Sequence, residues 1–306
     1  MATQSGSDGF TVEGGDEGMF SHLNWDEHIK PPLKYIALAV VMAFCVLPLY
    51  FTFVNSLKSP EMIFTSTMGI PWVTFQPATG QNQAWVSMWE SFPFIKYVFA
   101  SFIASFGTAT LATGIAISAA YAFARLDFPQ KNKLFILSIC AFMFPRAIIA
   151  IPIFLLLNKM GMLNTYVGLI VAFTSFTLPY NIWLLRGFFE DLPDNLEESA
   201  RVDGCTQFGA FYRVILPLSR PAIASVFMLA FLLAWHNFLL AFLIGNDDIH
   251  TTLPVAILSL KSQFFVQSFH FILAATFLTM IIPVIFYMYL QKHLVEGLSA
   301  GSGVKG

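Results

Sequence analysis

The chain is 306 residues long, 57% hydrophobic and only 11% charged, with 34 Phe, 12 Met and a formal net charge of −2. So few charges cannot cover a water-facing surface, which excludes a soluble domain, and near-neutrality argues against nucleic acid as a partner. Cys45, Cys140 and Cys205 form no CxxC or Cys/His cluster, so neither a disulfide framework nor a metal site is expected.

Residues 1–29 are Gly/Ser-rich and acidic, with Asp8, Glu13, Asp16, Glu17, Asp26 and Glu27. A secretory leader has the opposite character, basic and then apolar, so residues 1–33 are expected to form a disordered cytoplasmic tail. A helix rising 1.5 Å per residue needs about 20 apolar residues to cross a hydrocarbon core about 30 Å thick. Six segments qualify: Tyr35 to Val54, Val98 to Ala124, Leu134 to Leu157, Tyr166 to Leu185, Pro221 to Ile244 and Phe269 to Leu290. Together, 34–293 are expected as one all-α membrane domain, followed by a short tail, 294–306. Arg146 interrupts the third span and His270 opens the sixth. The loop from Lys58 to Lys96 holds Trp72, Trp85 and Trp89. Interfacial anchors, a sugar-stacking platform and a docking surface are the three readings open for these tryptophans.

Orientation follows from the basic residues on alternate sides of the spans. Lys30, Lys34, Arg125, Lys131, Lys133, Arg186, Arg201, Arg213, Arg220, Lys292 and Lys305 make eleven on one side. Lys58, Lys96, Lys159 and Lys261 make four on the other. The side with eleven is expected to be cytoplasmic and to hold both termini.

Between the fourth and fifth spans the pattern changes. Ten of the 34 Asp, Glu, Lys and Arg residues fall between Arg186 and Arg220. Asp194, after Pro193, is predicted to cap a helix, with Glu197 at the N3 position of a capping box. Gly204 then suits the left-handed stop. A second helix is predicted from Thr206 to Leu216, with Phe208, Phe211, Tyr212 and Ile215 on one apolar face and Pro217 ending it. An amphipathic element lying on a bilayer wants a basic polar face. Glu197, Glu198 and Asp203 make this one acidic, which favours a protein partner with a groove.

The stretch resembles the EAA motif of ABC-importer permeases, carried by Glu198, Ser199, Ala200, Asp203, Gly204, Leu216, Pro217 and Pro221, with Ser199 and Cys205 standing where alanines are usual. "LPLSRP" and "AWHNF" are similar to the carbohydrate-uptake, maltose-permease-like branch, and the resemblance runs from about Lys34 to the C-terminus. It implies the type I ABC-importer permease fold, six transmembrane helices with a cytoplasmic coupling helix in the 186–220 loop. It implies import of a sugar across the inner membrane of a prokaryote, with a glycerol phosphate or polyol as the alternative. The implied partners are a second permease subunit forming a heterodimer, two ATPase subunits that carry ATP and Mg, and an extracytoplasmic binding protein. Glu197, Glu198, Ser199, Ala200, Asp203, Gly204, Phe211, Leu216 and Pro217 are the expected coupling residues. Glu198 serves as charged contact, Ala200 and Gly204 allow close approach, and Phe211 is the apolar anchor.

No G-x-x-x-x-G-K-[ST] occurs, nor even a Gly-Lys dipeptide, and no catalytic constellation is present, so the chain is expected to be non-catalytic and to hold no cofactor. A secondary transporter would need coupling carboxylates within the spans, and none interrupts the six apolar cores. Candidates for the translocation path are Arg146, Asn181, Trp235, His236 and Asn237. At mid-membrane Arg146 costs roughly 2.5–3.5 kcal/mol, so it faces a wet path or a subunit contact, or else is a snorkelling or partner-paired structural cation. The others could hydrogen-bond or stack with sugar, but they suit polar packing contacts between helices better. The outer loop from Gly245 to His270 matches in position a loop that in relatives reaches into the binding protein. A plain solvated turn is the other reading.

Overall fold

The computed structural model describes residues 30–58, 63, 84–264 and 269–302; every regular element among them is helical. The chain divides into two compact units, Met1–Phe51 and Thr52–Gly306. The acidic residues of the N-terminal tail and Trp72 lie outside the described residues.

In the first unit the described residues belong to α1 (Lys30–Ser56), whose positions 34–51 are all exposed and almost all apolar. The second unit contains α2 (Ala84–Ser91), α3 (Phe94–Arg125), α4 (Lys131–Met143), α5 (Arg146–Lys159) and α6 (Tyr166–Asp191). After these come α7 (Asn195–Val202), α8 (Gln207–Leu218), α9 (Arg220–Trp235), α10 (Leu239–Ile244), α11 (Leu253–Phe264) and α12 (Phe269–Ser302). The helix of α12 carries on to Ser302, through much of the segment expected as a tail from 294.

The centre of the second unit is the long contact between α3 and α6, with α9 packed against both. Lipid tails are as apolar as leucine, so close van der Waals approach has to drive this association. The sequence provides for it: Ala100, Ala104, Thr108, Ala112, Ala116 and Ala120 recur every fourth residue and are all fully buried. At Gly107 a Cβ would fall 2.4 Å from Ile170 Cδ1. Asn181 Nδ2 donates to Thr113 Oγ1 at 3.3 Å, a polar stitch across the same seam.

Spans one, two, four and six are continuous helices: Lys34–Ser56, Phe94–Arg125, Tyr166–Asp191 and Phe269–Tyr289. The third and fifth are not. The third bends by 98° between α4 and α5. Phe144 precedes Pro145, and the proline ring forces it extended, with φ −66° and ψ 139°. The fifth, expected from Pro221 to Ile244, breaks after Trp235, and its last residues form the separate α10; the chain also turns by 72° at Ser219, just before this span. Pro217 does not end the second connector helix either. Phe211–Ile215 is a π-turn, in which the Leu216 N–H reaches the Phe211 carbonyl. The widened turn leaves room for the pyrrolidine ring, which clashes with the carbonyl four residues back in a regular helix.

Trp85 is packed inward. Its Nε1 donates to Ser56 Oγ at 3.1 Å, and its ring lies edge-on to Phe53 and Phe277. A free stacking platform at Trp85 is therefore ruled out. Trp89 stays half-exposed beside Phe94.

Candidate functional site

The connector folds as an elbow, α7 then α8, and its first anchor differs from the predicted capping box. Asp194 is already helical at φ −63° and ψ −30°, and its side chain caps nothing. It receives instead a hydrogen bond from Arg125 Nη1. Arg125, the last residue of α3, inserts its guanidinium at the C-terminal end of α6. There Nε and Nη2 donate to the Phe189 carbonyl at 3.1 and 2.7 Å, and Nη2 also donates to the Leu192 carbonyl. A cation is favoured there, where helix carbonyls are unpaired and the dipole is negative.

Glu197 is likewise not a capping residue. It is turned into the body, with Oε1 3.7 Å from Arg125 Nε and Oε2 accepting a long 3.5 Å hydrogen bond from the Tyr121 hydroxyl. The Arg125 and Glu197 side chains are only 9% and 7% exposed, whereas Asp194 is almost fully solvated. The pattern D-x-x-E reads as a capping box when no long-range cation is in view, and Arg125 lies 69 residues before Asp194. The signal that the sequence did carry is Tyr121 and Arg125, one helical turn apart at the end of an apolar span.

The far end of α7 follows expectation. Gly204 has φ +89°, its N–H bonds to the Arg201 carbonyl at 3.0 Å, and the Cys205 N–H bonds to the Ala200 carbonyl at 2.9 Å. This pairing is a Schellman motif. Thr206 then caps α8 by accepting from the Gly209 N–H at 3.1 Å.

The elbow's inner side is apolar. Phe211 and Ile215 are buried, and the Phe211 ring lies 4.2 Å from that of Tyr121. Leu196, Leu216 and Ala200 line the same interior, and Pro217 is half-buried. Phe211 and Ala200 are thus internal anchors, not outward contacts as expected, because the 3.6-residue period gives the same stripe whether it faces the body or a partner. The outward face carries Glu198, Ser199, Asp203 and Gly204, together with Val202 at 86%, Phe208 at 71% and Tyr212 at 62% exposure. Val202, Phe208 and Tyr212 are additions to the residues singled out from sequence as coupling contacts.

Of the five path candidates only Arg146 and His236 are exposed. Arg146 is exposed as the first residue of α5, and its guanidinium has no ion pair or hydrogen bond among the described residues. Asn181 is fully buried in the α3–α6 seam, with Oδ1 unpaired among the described residues. Trp235 is buried and stacked on Phe231 at 5.6 Å. Asn237 accepts from the Leu240 N–H at 3.2 Å and so starts α10. His236 alone of that trio is exposed, at the break between α9 and α10. Asn181, Trp235 and Asn237 therefore have packing and capping tasks within this chain.

The loop expected on the outer side is a built turn. Asp247 Oδ1 accepts from the His250 N–H at 2.6 Å, and Oδ2 lies 2.8 Å from His250 Nδ1. Burial alone raises the Asp247 pKa, but the hydrogen bonds from His250 outweigh it and hold the carboxyl below its ordinary value. The Tyr166 hydroxyl donates to the Ile249 carbonyl at 3.2 Å, and the Asn246 N–H donates to Asn164 Oδ1 at 3.1 Å.

Known proteins resemble the chain throughout this architecture. Residues 112–299 match the family of binding-protein-dependent transport system inner membrane components. Over 277 residues the chain is 31% identical to the sulfoquinovosyl glycerol transport system permease protein SmoH of Agrobacterium fabrum, covering 90% of this chain and 94% of that one. It is 32% identical over 272 residues to the trehalose transport system permease protein SugB of Mycobacterium tuberculosis, covering 87% and 95%. Among solved structures, a chain from a bacterial ABC transporter involved in the import of the acidic polysaccharide alginate shares the fold. The TM-score is 0.66 at 20% identity, over 87% of this chain and 97% of that chain. Fold, elbow and matched length agree: this chain belongs to the family of binding-protein-dependent transport system inner membrane components, as a permease subunit and not an ATPase.

Proposed function

We propose that the chain is the permease subunit of an ATP-driven importer that takes a sugar from an extracytoplasmic binding protein, and that its elbow receives the force. The observation that carries this reading is the outward face of α7 and α8. Val202, Phe208 and Tyr212 stand exposed beside Glu198 and Asp203, on an element whose two helices are capped at their junction by Gly204 and Thr206 and held from behind by Arg125. An exposed aromatic surface with an acidic rim suits a protein groove better than water or anionic lipid. The excess of basic residues on the elbow's side supports a cytoplasmic elbow with both termini beside it.

In this reading two ATPase subunits, which hold ATP and Mg, grip this elbow and that of a second permease subunit. Their closure moves the elbows as handles and turns the membrane cavity outward. The sugar class is supported by relatives named for trehalose and for sulfoquinovosyl glycerol. An anionic substrate, including a glycerol phosphate, is the second reading, favoured by one observation. The Arg146 guanidinium stands unpaired among the described residues at the start of α5, where free N–H groups also favour an anion.

The test is reconstitution with the ATPase and binding-protein partners, measuring ATP turnover against candidate neutral and anionic sugars. Phe208→Asp should lower the retention of ATPase subunits on purification by about tenfold or more, the scale of a lost interface hot spot. Sugar uptake that persists without the ATPases overturns the reading. Anionic uptake lost on Arg146→Gln, with neutral uptake kept, selects the second substrate class.

A further inference from the structure

The two ends of the elbow are fastened in different ways, and Arg125 makes the difference. At the α8 end the chain is continuous with α9, but through a π-turn at Phe211–Ile215 and a 72° bend at Ser219. That end is jointed. At the α7 end one guanidinium bonds the carbonyls of Phe189 and Leu192 at the end of α6, the carboxylate of Asp194 and, by charge, that of Glu197. It does so from the last residue of α3, and α3 is packed along its length on α6 by the row of small residues. That end is welded.

We propose that Arg125 is a positioning residue for transport: the clamp through which displacement of α7 is delivered to α3 and α6 as one body, while the Ser219 bend serves as the hinge. The inference rests on the coupling role of the elbow proposed above. A guanidinium is required because three acceptor groups lie around it in different directions, which the single ammonium of a lysine cannot span. The Tyr121 hydroxyl on Glu197 and the Tyr121 ring on Phe211 join the clamp to the root of α8.

The experiment uses the complete transporter in proteoliposomes and reads two rates, ATP hydrolysed and sugar imported, with assembly measured by co-purification. The double variant Arg125→Gln/Glu197→Gln removes both buried charges together, so no unpaired charge is left to prevent folding. The expected result is normal assembly, ATP hydrolysis that still responds to the binding protein, and a ratio of ATP to sugar raised about tenfold, within the range of coupling factors between sites. Arg125→Lys should fall between this variant and wild type. Glu190→Gln, in the separate Arg186–Glu190 pair, is the control and should leave the ratio unchanged.

A ratio within about twofold of wild type in the double variant overturns the clamp. Failure of both Arg125 variants to assemble, with the control normal, also overturns it, in favour of a purely structural role. The coupling reading fails separately: if Phe208→Asp and Tyr212→Asp keep the ATPase subunits bound, the elbow is not their contact. If those two variants release the subunits while the double variant keeps its ratio, only the clamp is wrong.

Discussion

The elbow at 194–218 and the outer loop at 245–252 are both polar inserts between apolar helices, yet they use their polar groups in opposite ways. In the outer loop Asp247 turns back on its own backbone and on His250, and Asn246 and Ile249 are tied to Asn164 and Tyr166. Its carboxylate is satisfied within the loop itself, and the two long-range bonds only fix the loop at the start of α6. In the elbow the decisive bonds reach to Arg125, far away in sequence, and three large apolar side chains are left outside. A loop that satisfies itself needs only to hold its own shape. An element fastened from behind with an apolar face outward has a surface left over for something else.

That contrast can be broken most directly at Arg125. Arg125→Ala leaves Glu197 buried without its cation, and loss of one partner of a buried pair costs about 3–5 kcal/mol. Thermal unfolding in detergent should show it as the largest single loss around the elbow, larger than that of Arg125→Ala/Glu197→Gln. Gly204→Ala comes next. With φ at +89° and open space around the Cβ position, the cost is the left-handed backbone alone, about 1–2 kcal/mol, and again unfolding measures it. Tyr212→Ser should leave the isolated subunit within about 0.5 kcal/mol of wild type, as for other exposed positions. It should nevertheless weaken retention of the ATPase subunits, so that stability and assembly separate at this residue.

The smallest effect belongs to the outer loop. The native Asp247 carboxyl is held below its ordinary value of 3.8, so its contribution is complete above that pH and is lost as pH falls through the depressed native value. Wild type should therefore exceed Asp247→Asn in melting temperature at pH 6, and the gap should close as pH drops well below 4. A gap that widened on acidification would mean that the turn is held by other contacts.

Much of the architecture was legible in the sequence because it depends on local chemistry. Four spans read from apolar length alone are continuous helices, the left-handed stop at Gly204 follows from glycine between a short helix and a capping threonine, and the EAA pattern led to the right family. The row of small residues from Ala100 to Ala120 was also there to be read, as a helix built for close packing. The bends were harder. Pro145 breaks the third span, but Pro152, Pro179 and Pro283 lie inside unbroken helices, so a proline by itself does not say whether the chain will turn.

Sequence alone determined that this chain lies in a membrane, which family it belongs to and where its charged elbow falls, because apolar length, charge placement and turn residues act over a few neighbours. Only the tertiary structure decided which way the elbow faces. Asp194 and Glu197 have the spacing of a cap, and Phe208, Phe211, Tyr212 and Ile215 that of a single stripe. Yet an ion pair with Arg125 and a ring contact with Tyr121 draw Glu197, Phe211 and Ile215 inward and leave Phe208 and Tyr212 outside. Periodicity places residues on a helix; the partner on each side of it is set by contacts from residues some seventy or ninety positions away.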